Sequence, residues 1–126
     1  MNNNCIKNLL KVICLLQNNS SNKYCFNNNC IKPFLGPAEN CNCYNTRVIT
    51  LYNKNGELFT ADYLDSSNVS NSSSLFRIES INDDCCILTI LSNNGNEYTS
   101  TNQGITININ CICAIKCLDD IFLNNI

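Results

Sequence analysis

Histidine is absent from this chain of 126 residues, although eleven cysteines are present. A nucleophilic cysteine commonly relies on a histidine base, and catalytic zinc sites commonly include an imidazole. Neither arrangement can be built here, which leaves cross-linking as the main chemistry open to the thiols. Charge is also scarce, at 14% of residues and a net charge of −2, against ~25% charged residues in an ordinary domain. The clustered Lys and Arg of a nucleic-acid surface are missing, so no nucleic-acid partner is expected. No stretch approaches the ~18 apolar residues of a membrane span. The opening segment MNNNCIKNLLKVICLLQNN begins like a signal peptide, but Lys11 interrupts its apolar run and no small-residue cleavage site follows. The chain is therefore expected to be made in the cytoplasm without an export signal.

Asparagine supplies the polarity that charge does not, with 26 copies, about a fifth of the chain. A polar but weakly charged surface offers little repulsion between like copies and so permits close self-association. Eleven is an odd number, so complete oxidation within one chain leaves one thiol for another molecule. Abundant cysteine normally marks an oxidising compartment. A cysteine-rich chain with no export signal is expected to fold reduced and to oxidise after assembly.

Four segments are expected: a helical segment at 1–20, a Cys- and Asn-rich loop region at 21–44, a β-domain at 45–120 and a tail at 121–126. In the first, residues 4–17 read as an amphipathic helix, with Ile6, Leu9, Leu10, Ile13 and Leu16 on one stripe. Cys5 and Cys14, nine residues and so about 180° apart, flank that stripe on opposite sides. From Arg47 the pattern turns to β. RVITLY, the turn Asn53-Lys54-Asn55-Gly56 and ELFTADY read as a hairpin, and Ser66 to Ser74 as a polar loop. LFRIESI places Phe76 and Ile78 on one face and Arg77 and Glu79 on a wet one. Asp83-Asp84 turns the chain into CCILTILS, expected to be a central strand. Asn93-Asn94-Gly95-Asn96 turns it again before a short strand at EYTST. In the last strand, Ile105, Ile107, Ile109, Cys111, Cys113 and Ile115 alternate with Thr106, Asn108, Asn110, Ile112, Ala114 and Lys116, so the cysteines are expected to share a buried face with the isoleucines. The fold class is mainly β: a single compact antiparallel β-sandwich or barrel-like domain with an N-terminal amphipathic helix.

The cysteine spacings contain neither the paired C-x2-C knuckles of a zinc ribbon nor the C-x-x-C of a thioredoxin-like site. Cys111 and Cys113, two apart on one strand, lie roughly 6.5–7 Å apart at Cα, at the edge of or beyond disulfide reach. Their partners are expected on other strands, loops or chains. Cys41, Cys43, Cys85, Cys86, Cys111, Cys113 and Cys117 are candidates for disulfides within the domain or for buried thiols, since free cysteine also packs as a small hydrophobe. Cys5, Cys14, Cys25 and Cys30, on helix flanks or in polar loops, are the candidates for disulfides between subunits. Asp83-Asp84 and Asp119-Asp120 read as solvated turns or ends, and no catalytic residue, cofactor or metal is assigned.

Asn45-Thr46-Arg47, LYNKNGELFTA, SLFRIESINDDCCILTIL and ITININCICAIKCLDD, together with Pro33-Phe34-Leu35-Gly36, resemble the cysteine-rich spore coat and exosporium proteins of the Y/Z family. The resemblance runs from about Cys25 to Asp120, and its most specific part is C-x-C-A-I-x-C-L at Cys111 to Leu118. It implies a non-enzymatic protein made in the mother-cell cytoplasm and located at the spore surface. It further implies self-assembly into a hexameric or higher-order two-dimensional array that becomes disulfide cross-linked, possible partners being other coat or exosporium proteins. Abundant asparagine and a short connection between Leu91 and Ile105 set this chain apart from the family pattern. Two rivals to a structural role are a cysteine-only metal-binding module and a small redox protein. The first requires converging thiolates, and the second a cysteine of lowered pKa, for which the charge pattern makes no provision.

Overall fold

The structure is a computed structural model that describes residues 4–20 and 44–123. Its elements are helix α1 (Asn4–Ser20) and strands β1 (Thr46–Asn53), β2 (Ala61–Leu64), β3 (Ser70–Ser73), β4 (Leu75–Asn82), β5 (Cys85–Asn93), β6 (Tyr98–Asn108) and β7 (Ile112–Ile121). Five strands form one antiparallel sheet in the order β6-β5-β4-β1-β7, and β2 pairs with β3 in a small second sheet. The fold is mainly β and sandwich-like, as the alternating patterns require, and not a closed barrel. β6 and β7 occupy opposite edges yet are joined by only the 3-10 turn Ile109–Cys111. Four flat interstrand steps would span ~19 Å, whereas the four residues from Asn108 to Ile112 reach at most ~14 Å. The sheet must therefore curl. At the far ends of the same strands, Tyr98 Oη donates to Asp119 Oδ2 at 2.9 Å.

Inside the curl lie Ile49, Leu51, Phe76, Ile78, Cys86, Leu88, Ile90, Ile107, Ile109 and Ile112, capped by Leu10 and Ile13 of α1. Phe59 leans on Phe76 with ring centroids 5.5 Å apart. The other face carries a smaller cluster of Val48, Leu91 and Leu123. Arg77, expected on a wet face, is buried there. Its Nε donates to Thr46 Oγ1 at 2.8 Å and its Nη2 to the Asn45 carbonyl at 3.2 Å. Glu79 supplies the counter-charge 2.7 Å from Nη1, and a paired, hydrogen-bonded guanidinium can be buried at tolerable cost.

Several sequence expectations need correction. The apolar stripe of α1 divides: Leu10 and Ile13 are fully buried, but Leu9 is 37% and Leu16 48% exposed. The expected hairpin persists only as one bridge between Tyr52 and Leu58, after which the chain leaves for β2. Residues 70–73, read as loop, form β3. The strand after Asp84 lies inside the sheet, but β4 is the central one. EYTST and ITININ are one strand, β6, interrupted by an irregularity.

The alternating face of the final segment is also broken. Cys111 and Cys113 are exposed rather than buried with the isoleucines. Ile105, Ile107, Ile109, Ile112 and Ile115 are the residues turned at least partly inward. The 3-10 turn shifts the parity after Ile109. A second shift follows where Asn53 and Tyr52 pair with Ile112 and Ala114, leaving Cys113 as an extra residue. Such a bulge reverses alternation. Isoleucine displaces cysteine because it buries more apolar area.

Carboxamides take the place of backbone at three junctions. Gln17, buried near the end of α1, accepts from Arg47 N through Oε1 at 2.9 Å and donates from Nε2 to the Ile78 carbonyl at 2.7 Å. Extending the single β1–β4 register pair Ile49–Phe76 by two residues would bring Arg47 and Ile78 opposite each other. Gln17 stands between them like an inserted peptide group and pins α1 in the wedge where β1 and β4 part. Asn45 treats Leu123 similarly, donating to its carbonyl and accepting from its N–H, both at 3.0 Å. Gln103 does the same for Leu64 and ties β2 to β6.

Candidate functional site

The placement of the thiols is the feature of this fold with chemical consequence. Of the seven cysteines among the described residues, Cys86 alone is fully buried and Cys14 is half-buried; Cys5, Cys85, Cys111, Cys113 and Cys117 are exposed. Cysteine is ordinarily among the most buried residue types, so five exposed thiols reverse the usual distribution. Cys25, Cys30, Cys41 and Cys43 lie outside the described residues.

Three segments bring thiols to one end of the domain. Lys7 Nζ, in the first turns of α1, lies 3.6 Å from Asp84 Oδ1 in the β4–β5 turn. The Asp84 carbonyl accepts from Ile109 N at 2.7 Å, and Cys85 pairs with Asn108. The N-terminal turn of α1, the start of β5 and the 3-10 corner therefore meet, carrying Cys5, Cys85 and Cys111, with Cys113 two residues on. The corner has a local cause: Asn108 caps it, its side chain accepting from Asn110 N at 2.8 Å. That Asn-x-Asn spacing is the signal by which the strand break could have been read.

Cys117 lies toward the opposite end of β7. It lines a shallow recess of about 270 Å³ with Arg47, Leu118, Asp119 and Asp120. An adjoining recess of about 190 Å³ is lined by Leu16, Gln17, Tyr44, Thr46, Arg47 and Asp120. Between them Arg47 and Asp120 form a two-pronged ion pair, Nε to Oδ1 at 2.6 Å and Nη2 to Oδ2 at 2.8 Å. That hydrogen bonding holds the Asp120 carboxyl below its usual range and raises the Arg47 guanidinium.

The two inward thiols differ in character from the rest. Burial pushes the Cys86 thiol up to about 12, with the neighbouring Cys14 adding to the effect. Cys14 is raised by burial first, countered by Arg77 and reinforced by Glu79, and its Sγ lies 3.8 Å from the Glu79 carbonyl. Thiols held protonated are poor nucleophiles. Among the described residues, no group of three or more Cys, Asp or Glu side chains converges as a metal site would require, and no helix is long and apolar enough to cross a membrane.

Sequence reasoning placed Cys5 and Cys14 on opposite sides of α1, and the structure sets one in solvent and the other against the core. It did not find Gln17, Gln103 or the buried Arg77. A glutamine within an otherwise apolar helical repeat was the available sign. Asn45-Thr46-Arg47, quoted above for its resemblance, is the knot that joins Leu123, Arg77 and Asp120.

No curated protein and no solved structure matches this chain. The family model described as spore coat protein Z matches residues 1–97, a span that takes in α1 and β1 to β5 but stops short of the C-x-C-A-I-x-C-L segment. A match over three quarters of its length places this chain in the spore coat protein Z family, a family of structural proteins of the spore surface.

Proposed function

We propose that this chain is a self-assembling building block of a spore surface layer, coat or exosporium, whose copies associate in an ordered array and are then locked by disulfides between subunits. The outward distribution of the thiols carries the reading. Among the described residues, Cys5, Cys85, Cys111, Cys113 and Cys117 lie outside the hydrophobic core and face solvent, where another subunit can reach them. A disulfide within a domain contributes ~2–4 kcal/mol, whereas one between subunits prevents dissociation until it is reduced. For a protective shell the second property is the more useful. Synthesis in the reducing mother-cell cytoplasm keeps the thiols free until non-covalent contacts have set the geometry, and other coat proteins are further candidates for the same thiols.

Electron microscopy of the purified chain, reduced and then oxidised, tests this directly. Ordered sheets, rings or fibres are expected from the chain alone, and after oxidation they should persist as large species in hot detergent lacking reductant. A monodisperse monomer at high concentration that still runs as a monomer after oxidation overturns the reading.

A further inference from the structure

Helix α1 has two apolar faces. The inner one, Ile6, Leu10 and Ile13, packs on the sheet. The outer one carries Cys5, Leu9, Val12 and Leu16, which at 100° per residue fall within about 60° of arc. All four are exposed, with Leu9 at 37%, Val12 at 50% and Leu16 at 48%, and Leu15 beside them at 59%. The spacing of four, three and four residues is the narrow seam of a two-helix coiled coil, with Cys5 and Val12 at d and Leu9 and Leu16 at a. The flanking e positions, Ile6 and Ile13, are turned into the chain's own domain. The g positions, Asn8 and Leu15, are uncharged, while Lys7 and Lys11, at f and c, lie off the seam.

We infer that this outer seam pairs with the same seam of a second copy, in parallel about a two-fold axis, and that Cys5 of the two copies becomes a disulfide. The inference rests on the self-assembly proposed above and names one of its contacts. Charge favours a like copy as the occupant: with nothing ionised at e or g, two identical seams meet without repulsion, and no acidic residue in α1 calls for a basic partner. Register selects the parallel arrangement, because d positions meet as like pairs only when helices run the same way. Cys5 then faces Cys5, whereas antiparallel packing would carry each thiol to the far end of the seam. A seam about 16 Å long and one helix wide falls short of the ~800 Å² per partner of a stable interface. The contact is weak until it is covalent, which allows errors to dissociate before they are locked.

Locking needs an electron acceptor, here a low-molecular-weight disulfide such as oxidised glutathione. One Cys5 thiolate attacks it and releases one reduced thiol. The second Cys5 attacks the mixed disulfide and releases the other. Two electrons pass from the cysteine pair to the reagent, which leaves as two thiols carrying both protons.

The test mixes light and isotopically heavy full-length chain, exchanges the reduced mixture into glutathione redox buffer, and follows tryptic peptides by mass spectrometry. Cleavage after Lys7 should release Met1–Lys7 peptides joined through Cys5, as a statistical mixture of light, heavy and mixed pairs. Val12→Asp should slow the appearance of that pair by about tenfold, by lowering the effective concentration of facing thiols; Val12→Ala should slow it much less. Circular dichroism confirms that both variants remain folded, as substitutions at a half-exposed position should. Cys5 recovered as a free thiol in oxidised assemblies, or bonded to another cysteine of its own chain, overturns the inference, as does a rate unchanged in Val12→Asp. If assemblies form and lock without Cys5, this contact is wrong and the proposed function stands. If the wild type neither assembles nor cross-links, both fall.

Discussion

Replacing Gln17 with methionine keeps the length and most of the volume of the side chain but deletes both bonds that its carboxamide makes across the β1–β4 wedge. Arg47 N, now 2.9 Å from Oε1, and the Ile78 carbonyl, now 2.7 Å from Nε2, would face a thioether in a site where Gln17 itself is 3% exposed. Each buried backbone group left without a partner costs about 1–3 kcal/mol, so a loss of about 2–6 kcal/mol is expected for the two. That is a large part of the ~5–15 kcal/mol by which a domain is stable. Gln17→Ala should cost still more, because a cavity is added to the same lost bonds. Urea titration of the reduced chain reads the change as a fall of about 1–2 M in the midpoint with the slope preserved. Native-state hydrogen exchange reads it locally: the Arg47 amide should lose protection before amides in the middle of β4 and β5 do. A methionine variant within about 0.5 kcal/mol of wild type, or an Arg47 amide as protected as before, would refute the idea that this one side chain pins the helix to the sheet.

Three other outcomes follow from the geometry. Phe76 is fully buried against Phe59, so Phe76→Ala should lower stability by about 3–5 kcal/mol in the same urea titration, and Phe59→Ala by distinctly less because that ring is only half-buried. The Asp120 carboxyl is held below its ordinary 3.8 by the Arg47 hydrogen bond, so the stability it contributes is present above that pH and lost as pH falls through the lowered folded value; being partly exposed and screened, it is worth well under ~1 kcal/mol, and the melting temperatures of wild type and Asp120→Asn should differ slightly at neutral pH and converge in acid. For Cys86 the sign is opposite: its thiol is raised from 9.0 to about 12, so the contribution is intact below pH 9 and lost on going up through 12. Native alkylation at pH 8 should accordingly modify Cys5, Cys85, Cys111, Cys113 and Cys117 well before Cys86, and early loss of the Cys86 thiol would show the core to be open where it is described as closed.

How much of this was legible in one dimension depends on whether the deciding interaction is local. Helix α1, the turns at Asn53–Gly56, Asp83-Asp84 and Asn93–Asn96, the burial of Phe76 and Ile78 and the mainly β class all follow from periodicity and turn chemistry over a few residues. So does the weakly charged, cysteine-rich character that points to a structural role. The tertiary structure decided which of two apolar faces of α1 is covered, since both satisfy a helical period and only the sheet beneath selects Leu10 and Ile13 over Leu9 and Leu16. It also decided the fate of Cys111 and Cys113. Their alternation with isoleucine is unbroken in sequence, but a sheet that must carry the chain from one edge to the other within four residues needs a corner there, and the corner turns both thiols outward. Asn45 and Gln103 could not be distinguished in the sequence from the other carboxamides, because a side chain that stands in for a peptide group does so only where distant segments leave a gap of that size.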